Sequence, residues 1–208
     1  MAKVVWRGGA MLSPVPPALV TCSDGEHDNV FTVAWTGIVN TIPPKTYISV
    51  RPSRYSYGLI QKSGVFAINL TTAPLVRTAD FCGVHTGAKM DKFARCQLEK
   101  APASEIPCPI LAGSPLALEC RVTDVIHLGS HDMFLADIVA VDVDDSLIGE
   151  DGKLHLERAQ LAAYAHGDYF ELGKRIGNFG FSVAKKKKNR PQSAKNKTAN
   201  QQSPKKGS

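Results

Sequence analysis

The chain has 208 residues, 43% of them hydrophobic and 21% charged, enough for one domain of ordinary size with a sizeable core. No apolar run approaches the ~18 residues that span a bilayer, and the N-terminus lacks the apolar stretch of a signal peptide. The formal charge of +6 is confined to one end: residues 185–208 hold nine of the 25 basic residues and no acid, which leaves 16 basic against 19 acidic residues before them.

That end, "KKKKNRPQSAKNKTANQQSPKKGS", has no apolar residue larger than Ala and is expected to be a disordered, lysine-rich tail. It reads as a solubilising extension, or as an electrostatic contact with nucleic acid or an anionic surface. Residues 1–184 are then the globular domain. The five cysteines (Cys22, Cys82, Cys96, Cys108, Cys120) are odd in number and form no CxxC pair. Their spacing resembles no zinc site, so no metal is expected, and they fit a reducing, cytoplasmic compartment.

In chain order, "ALVTCS" (18–23) and "NVFTVAWTGIV" (29–39) read as strands joined by the turn-rich "DGEHD". The second is too long and interrupted to be one flat strand, and Thr36 and Gly37 suggest a bend or opening. A Pro-Pro corner leads into a strand from Thr46 to Val50. A helix is predicted over 55–63, with Ser53 at the N-cap and Gly64 as its terminating residue. "VFAINL" (65–70) is apolar enough to be buried on both faces. A short helix near 75–81, the loop "CGVHTGAKM" and a helical turn at "DKFARC" follow. There Asp91 and Lys92 read as a helix-start carboxylate and a surface cation. In "PLALECRVTDVIHLG" (115–129), Leu116, Leu118, Cys120 and Val122 alternate with Ala117, Glu119, Arg121 and Thr123, and "DMFLADIVAVDVD" (132–144) pairs with it in a hairpin. "LERAQLAAYAHGDYFELGKRIG" is expected to carry a helix and a polar-aromatic closing segment. The sum is a mainly β, α+β chain: an antiparallel barrel with short helical insertions.

The corner "SVRPSRYSYG" carries Arg51, Ser53, Arg54, Tyr55 and Ser56 where a strand turns into a helix. A helix N-terminus offers unpaired N–H groups and the positive end of its dipole, and hydroxyls and guanidinium groups add donors around it. This is an anion cradle. Without a glycine loop and lysine of the nucleotide-triphosphate kind, or any G-x-G-x-x-G before a helix, it suits a monophosphate. An ordinary capped helix with two surface arginines would carry the same residues.

The run from Asn29 to Leu70, followed by "DFCGVHTGAKMDKF" (80–93) and "LGSHDMFLADIVAVDVD" (128–144), resembles the flavin reductase-like, FMN-binding split-barrel proteins, and in particular their flavoredoxin-type branch. The resemblance covers residues 12–182 and implies a homodimer with FMN in a groove at the subunit interface. It sets the flavin ring against Ala34, Trp35, Thr36 and Gly37, and the phosphate at Arg51, Ser53, Arg54, Tyr55 and Ser56. Asn69 and Leu70 match positions close to the cofactor. Cys82, Gly83 and Lys89 match the loop over the phosphate side, where many relatives carry Ser at the place of Cys82 and a basic residue beside that of Lys89. His131 matches a hairpin-turn histidine at the flavin and nicotinamide pocket.

Such a protein would move hydride from NADH or NADPH to flavin, with the redox chemistry belonging to the cofactors. No nucleophile triad, metal motif or carboxylate dyad is evident in the sequence. Three readings stand: an NAD(P)H-dependent flavin reductase; a flavoredoxin-type electron carrier that keeps its FMN and serves a redox partner protein; and a nucleic-acid-associated module acting through its tail. Membrane attachment is not expected.

Overall fold

A computed structural model describes residues 1–183; the lysine-rich tail expected from residue 185 lies outside them. The chain divides into a unit over Met1–Lys174 and a second starting at Arg175. Within the second, the described residues hold one 3-10 turn, Phe181–Val183.

The first unit is built on the strands β1 (Ala18–Ser23), β2 (Asp28–Val33), β3 (Thr36–Thr41) and β4 (Pro44–Val50). They are followed by helix α1 (Tyr55–Ser63), strand β5 (Val65–Asn69), and helices α2 (Val76–Val84) and α3 (Lys92–Cys96). Two-residue strands β6 (Lys100–Ala101) and β7 (Ile110–Leu111) precede the long hairpin β8 (Leu116–His127) and β9 (Asp132–Val143). A small hairpin, β10 (Ala162–Ala165) and β11 (Asp168–Glu171), closes the unit. Seven strands form one antiparallel sheet in the order β2-β1-β5-β8-β9-β4-β3.

β2 and β4 lie near opposite ends of that order, yet Phe31 and Val33 share one buried cluster with Ile48 and Val50. The sheet therefore curls on itself, and Phe66, Phe134 and the α1 residues Leu59 and Ile60 fill its interior. α1 plugs one end of that interior. It stops at Gly64, whose φ of 70° supplies the left-handed turn that L side chains resist. β5 is buried along its whole length, as its unbroken apolar run requires.

Several local expectations are corrected. The N-cap of α1 is Arg54, in extended backbone and without a side-chain cap, whereas Ser53 is exposed in the preceding turn. Cys82 and Gly83 belong to the end of α2 and not to a loop. The segment expected to carry a helix after residue 155 has a 3-10 turn at Leu156–Arg158 and then the β10–β11 hairpin, turned at His166 and Gly167, both with positive φ.

The simple alternation of β8 also fails in its first half, where Ala117 and Glu119 are buried. Both Glu119 oxygens accept hydrogen bonds, Oε1 from Ser104 N and Oγ (both 2.7 Å) and Oε2 from Glu105 N (2.7 Å) and Ile106 N (3.1 Å). A register shift between Glu119 and Cys120 puts the extra residue in β9, and one between Val122 and Asp124 puts it in β8, so the core-facing series Leu118, Cys120, Val122 continues at Val125.

Candidate functional site

The long strand read from residue 29 breaks at Ala34 and Trp35. β2 ends at Val33, β3 starts at Thr36, and the Trp35 carbonyl accepts a hydrogen bond from Ser49 N at 3.0 Å. Beside this break opens a cavity of about 310 Å³. One side is formed by Phe31 to Trp35, and another by Ser49, Val50, Arg51 and Arg54 of the strand-to-helix corner. His131 comes from the tip of the β8–β9 hairpin, Gly83 from α2, and Tyr164 and Tyr169 from the β10–β11 hairpin. The Trp35 and His131 rings lie 4.7 Å apart, and those of Tyr164 and Tyr169 5.2 Å apart. This end of the site is an aromatic slot.

Past Arg54 the slot continues into a small nook, since Phe31, Thr32, Arg54 and Gly83 line both. The nook adds Asn29, Tyr55, Ser56, Cys82, Gly87 and Lys92. Ser56 Oγ accepts a 2.7 Å hydrogen bond from Asn29 Nδ2, which leaves its own hydroxyl proton available. Lys92 is 2% exposed, against the expectation of a surface cation. Its ammonium donates to the Cys82 carbonyl at 2.9 Å, and no ion pair of Lys92, Arg51 or Arg54 with a carboxylate occurs among the described residues. Burial, with the nearby charge of Arg54, holds the Lys92 pKa below the usual lysine value. Asp91, as expected, caps α3 by accepting from Ala94 N at 3.1 Å.

Electrostatics elsewhere in the site follow from the same neighbours. Burial first, and then Arg51 and Arg54, lower the His131 pKa, so the imidazole is neutral at pH 7. Its Nδ1 lies 3.0 Å from Ser130 Oγ. Burial pushes the Cys82 thiol up to about 12, so it stays protonated and is a packing residue of the nook, without nucleophilic character. Tyr169 is raised to about 12, by burial and by Asp80, to whose carboxylate it donates at 3.3 Å.

Of the residues singled out in the sequence, two groups line the cavity and six residues lie outside both. Ala34, Trp35, Arg51, Arg54, Gly83 and His131 meet in the slot. Tyr55, Ser56 and Cys82, with Arg54 and Gly83 again, meet in the nook. Thr36 and Gly37 stand behind the break and are committed to β4: Thr36 Oγ1 donates to the Tyr47 carbonyl, and the Gly37 carbonyl accepts from Thr46 Oγ1. Ser53 and Lys89 are exposed and line neither space.

Asn69 is fully buried elsewhere. Its amide donates to the Leu19 carbonyl at 3.0 Å and its oxygen accepts from Leu111 N at 2.8 Å, so it braces β1, β5 and β7. Leu70 borders a separate apolar groove with Pro14 and Leu161.

Lys92, Asn29, Gly87, Tyr164 and Tyr169 were missed in the sequence. Alternation in "AAYAHGDYF" around a His-Gly turn is a hairpin signal that would have found the two tyrosines. Nothing local marks Lys92 as buried.

An aromatic slot joined to a cationic nook is complementary in chemistry to a planar ring carrying an anionic arm. Comparison with known proteins bears on such a site. The family described as "Flavin reductase like domain" matches residues 11–173. An uncharacterized protein of Aeropyrum pernix is 34% identical over 137 residues, 65% of this chain and 52% of that protein, so the match spans about half the length of that relative. An NADPH-flavin oxidoreductase of Streptomyces viridifaciens is 29% identical over 157 residues, covering 72% of this chain and 78% of the relative. The solved flavoredoxin of Desulfovibrio vulgaris (Miyazaki F) superposes with a TM-score of 0.82 at 27% identity, covering 88% of this chain and all of the other.

Proposed function

The chain belongs to the flavin reductase-like domain family, and we propose that it holds FMN in the joined slot and nook and reduces flavin with hydride from NADH or NADPH. The observation that carries this reading is the continuity between aromatic slot and cationic nook past Arg54.

The residues fit the group. A buried ammonium with one carbonyl partner and no carboxylate among the described residues carries a desolvation cost that a phosphate would offset through charge-assisted hydrogen bonds. α1 starts at the same place and carries no acidic residue in its first turn, so its N-terminal dipole is left for an anion. When bound, the flavin ring supplies the hydride-accepting chemistry.

The chain's own groups bind, orient and exclude water. Lys92, Arg54 and the Ser56 hydroxyl hold the phosphate. Trp35 and the two tyrosines pack against the ring end, and neutral His131 offers a ring nitrogen for a hydrogen bond to either nucleotide. Arg51, exposed at the rim beside His131, adds positive charge where a second nucleotide would enter. Orientation of the donor against the flavin is the part of the barrier that a protein of this kind lowers.

A homodimer is part of the proposal. Ile38, Val39 and Ile42 of the edge region around β3 are 49–90% exposed beside the half-exposed Trp35, an apolar rim next to the cavity. A second reading draws on the flavoredoxin likeness: the protein keeps its FMN and passes electrons to a redox partner.

The test is anaerobic titration of the purified full-length protein with each nicotinamide nucleotide, followed by flavin absorbance. Bound FMN bleached by NADH or NADPH is the expected result. FMN that binds but resists both donors favours the carrier reading, and failure to bind FMN overturns the proposal.

A further inference from the structure

Asp132 adjoins His131 at the start of β9 and is 5% exposed. Its Oδ2 accepts a 2.7 Å hydrogen bond from Tyr57 Oη, and His127 Nδ1 lies 3.0 Å from the same oxygen. Tyr57 stands in the first turn of α1, one residue past Ser56, and its N–H donates to the Arg54 carbonyl at 3.0 Å. Its ring packs edge-on against Phe134 at 5.2 Å, which sets the direction of the hydroxyl. The backbone of Asp132 is in register with Val50, the residue before Arg51.

One carboxylate therefore touches the helix turn that presents Arg54 and Ser56 and the hairpin tip that presents His131. The tip has few other ties: Leu128 N donates to the His131 carbonyl at 3.1 Å, and Leu128 and Ser130 are exposed. We propose that Asp132 is a positioning residue which, through Tyr57, couples the anion end of the site to its ring end; this rests on the function proposed above. Tyr57 and His127 hold the Asp132 pKa below the usual carboxylate value, so the acceptor is charged at neutral pH and its bonds are of the stronger kind.

A ligand that reaches both ends exploits this joint, and a ligand confined to the slot does not. The test compares FMN with riboflavin, which has the same ring and no phosphate, in the full-length protein and in Tyr57→Phe, which keeps the ring packing and removes only the hydroxyl. Loss of a hydrogen bond to a charged group leads us to expect FMN affinity to fall roughly tenfold, with riboflavin affinity changed less than about twofold. Arg54→Ala and His131→Ala should be non-additive for FMN in the unaltered background and additive in Tyr57→Phe.

Asp132→Asn, which keeps an acceptor without its charge, should give a smaller change in the same ratio and serves if Tyr57→Phe does not fold. Equal losses for FMN and riboflavin, or an Arg54–His131 coupling unchanged by Tyr57→Phe, would reduce Asp132 to a structural group and overturn the inference. If the unaltered protein binds FMN while the ratio does not move, only this inference fails. If it binds no FMN, the functional reading fails and takes the inference with it.

Discussion

Lys92 Nζ lies 2.9 Å from the Cys82 carbonyl oxygen, and this bond ties α3 to α2 beneath the nook. A lysine this buried beside the proposed anion site has the Cys82 carbonyl to receive the end of its side chain. The same arrangement makes the residue costly in the absence of a ligand.

Lys92→Met should therefore weaken FMN binding by at least about tenfold while leaving the ligand-free protein as stable as before or more so, because a buried charge is exchanged for an apolar chain of similar length. Equilibrium dialysis and thermal melts of the apoprotein read the two effects separately. The sign of the pH dependence follows from the lowered pKa: the unfolded state binds the proton more tightly, so this residue's penalty shrinks as pH rises from the lowered value toward the ordinary 10.5. The buried thiols titrate with the opposite sign, their pKa values being raised, so the measurement is the difference in pH slope between wild type and Lys92→Met.

Gly87→Ala should loosen the nook. A Cβ at that position would stand 2.2 Å from Asn29 Oδ1 and 2.9 Å from Tyr55 Cδ1, and Asn29 is held in place by its bond to Ser56. Relieving the clash moves the loop or breaks the Asn29–Ser56 bond, at about 1–3 kcal/mol by the usual cost of overpacking. FMN affinity should fall while riboflavin affinity is largely kept, as fluorescence quenching would report.

His131 should titrate below the ordinary histidine value of 6.5 in the ligand-free protein, and Arg51→Ala should raise its midpoint by removing a neighbouring positive charge. Proton NMR of the ring follows this directly. Because the folded pKa is depressed, stability should rise with pH up to about 6.5 and show no His131 contribution above it; His131→Gln removes that slope. An unmoved midpoint in Arg51→Ala would place the charge of Arg51 away from the ring.

Glu119→Gln should destabilise the fold by about 2–4 kcal/mol, since an amide nitrogen would face backbone N–H groups that now point at a carboxylate. The carboxylate pKa is lowered by the Ser104 and Glu105 donors against the opposing effect of burial, so its contribution is present at neutral pH and lost as pH falls through the folded value. Asp142, whose buried Oδ2 has no hydrogen-bond partner among the described residues, shows the reverse: burial and then Glu119 raise its pKa, and its favourable part is lost as pH rises. Asp142→Asn should flatten that loss, which chemical denaturation over a pH series rising from the ordinary carboxylate value of 3.8 can measure.

Residue pattern was enough for several of the strands and for the corner, but not for the β10–β11 hairpin, where a helix was expected. Apolar runs and turn residues placed β1, β5 and the β8–β9 hairpin, and Gly64 ended α1 because only a residue tolerant of positive φ stops a helix there. The residues Trp35, Arg54, Ser56 and His131 were legible because motif spacing brought a resemblance with it. Where side chains finish was decided by the tertiary structure alone. Lys92 sits beside a capping aspartate in a helix of five residues, and it is buried by the packing of α3 against β2 and α2. Asn69 reads as a polar strand end near a cofactor, yet the approach of β1 and β7 consumes its amide. Tyr164 and Tyr169 reach the slot by a hairpin far along the chain. Local pattern reports backbone conformation, which neighbours in sequence control; burial and partnership depend on contacts between distant segments, and these exist only once the sheet has curled.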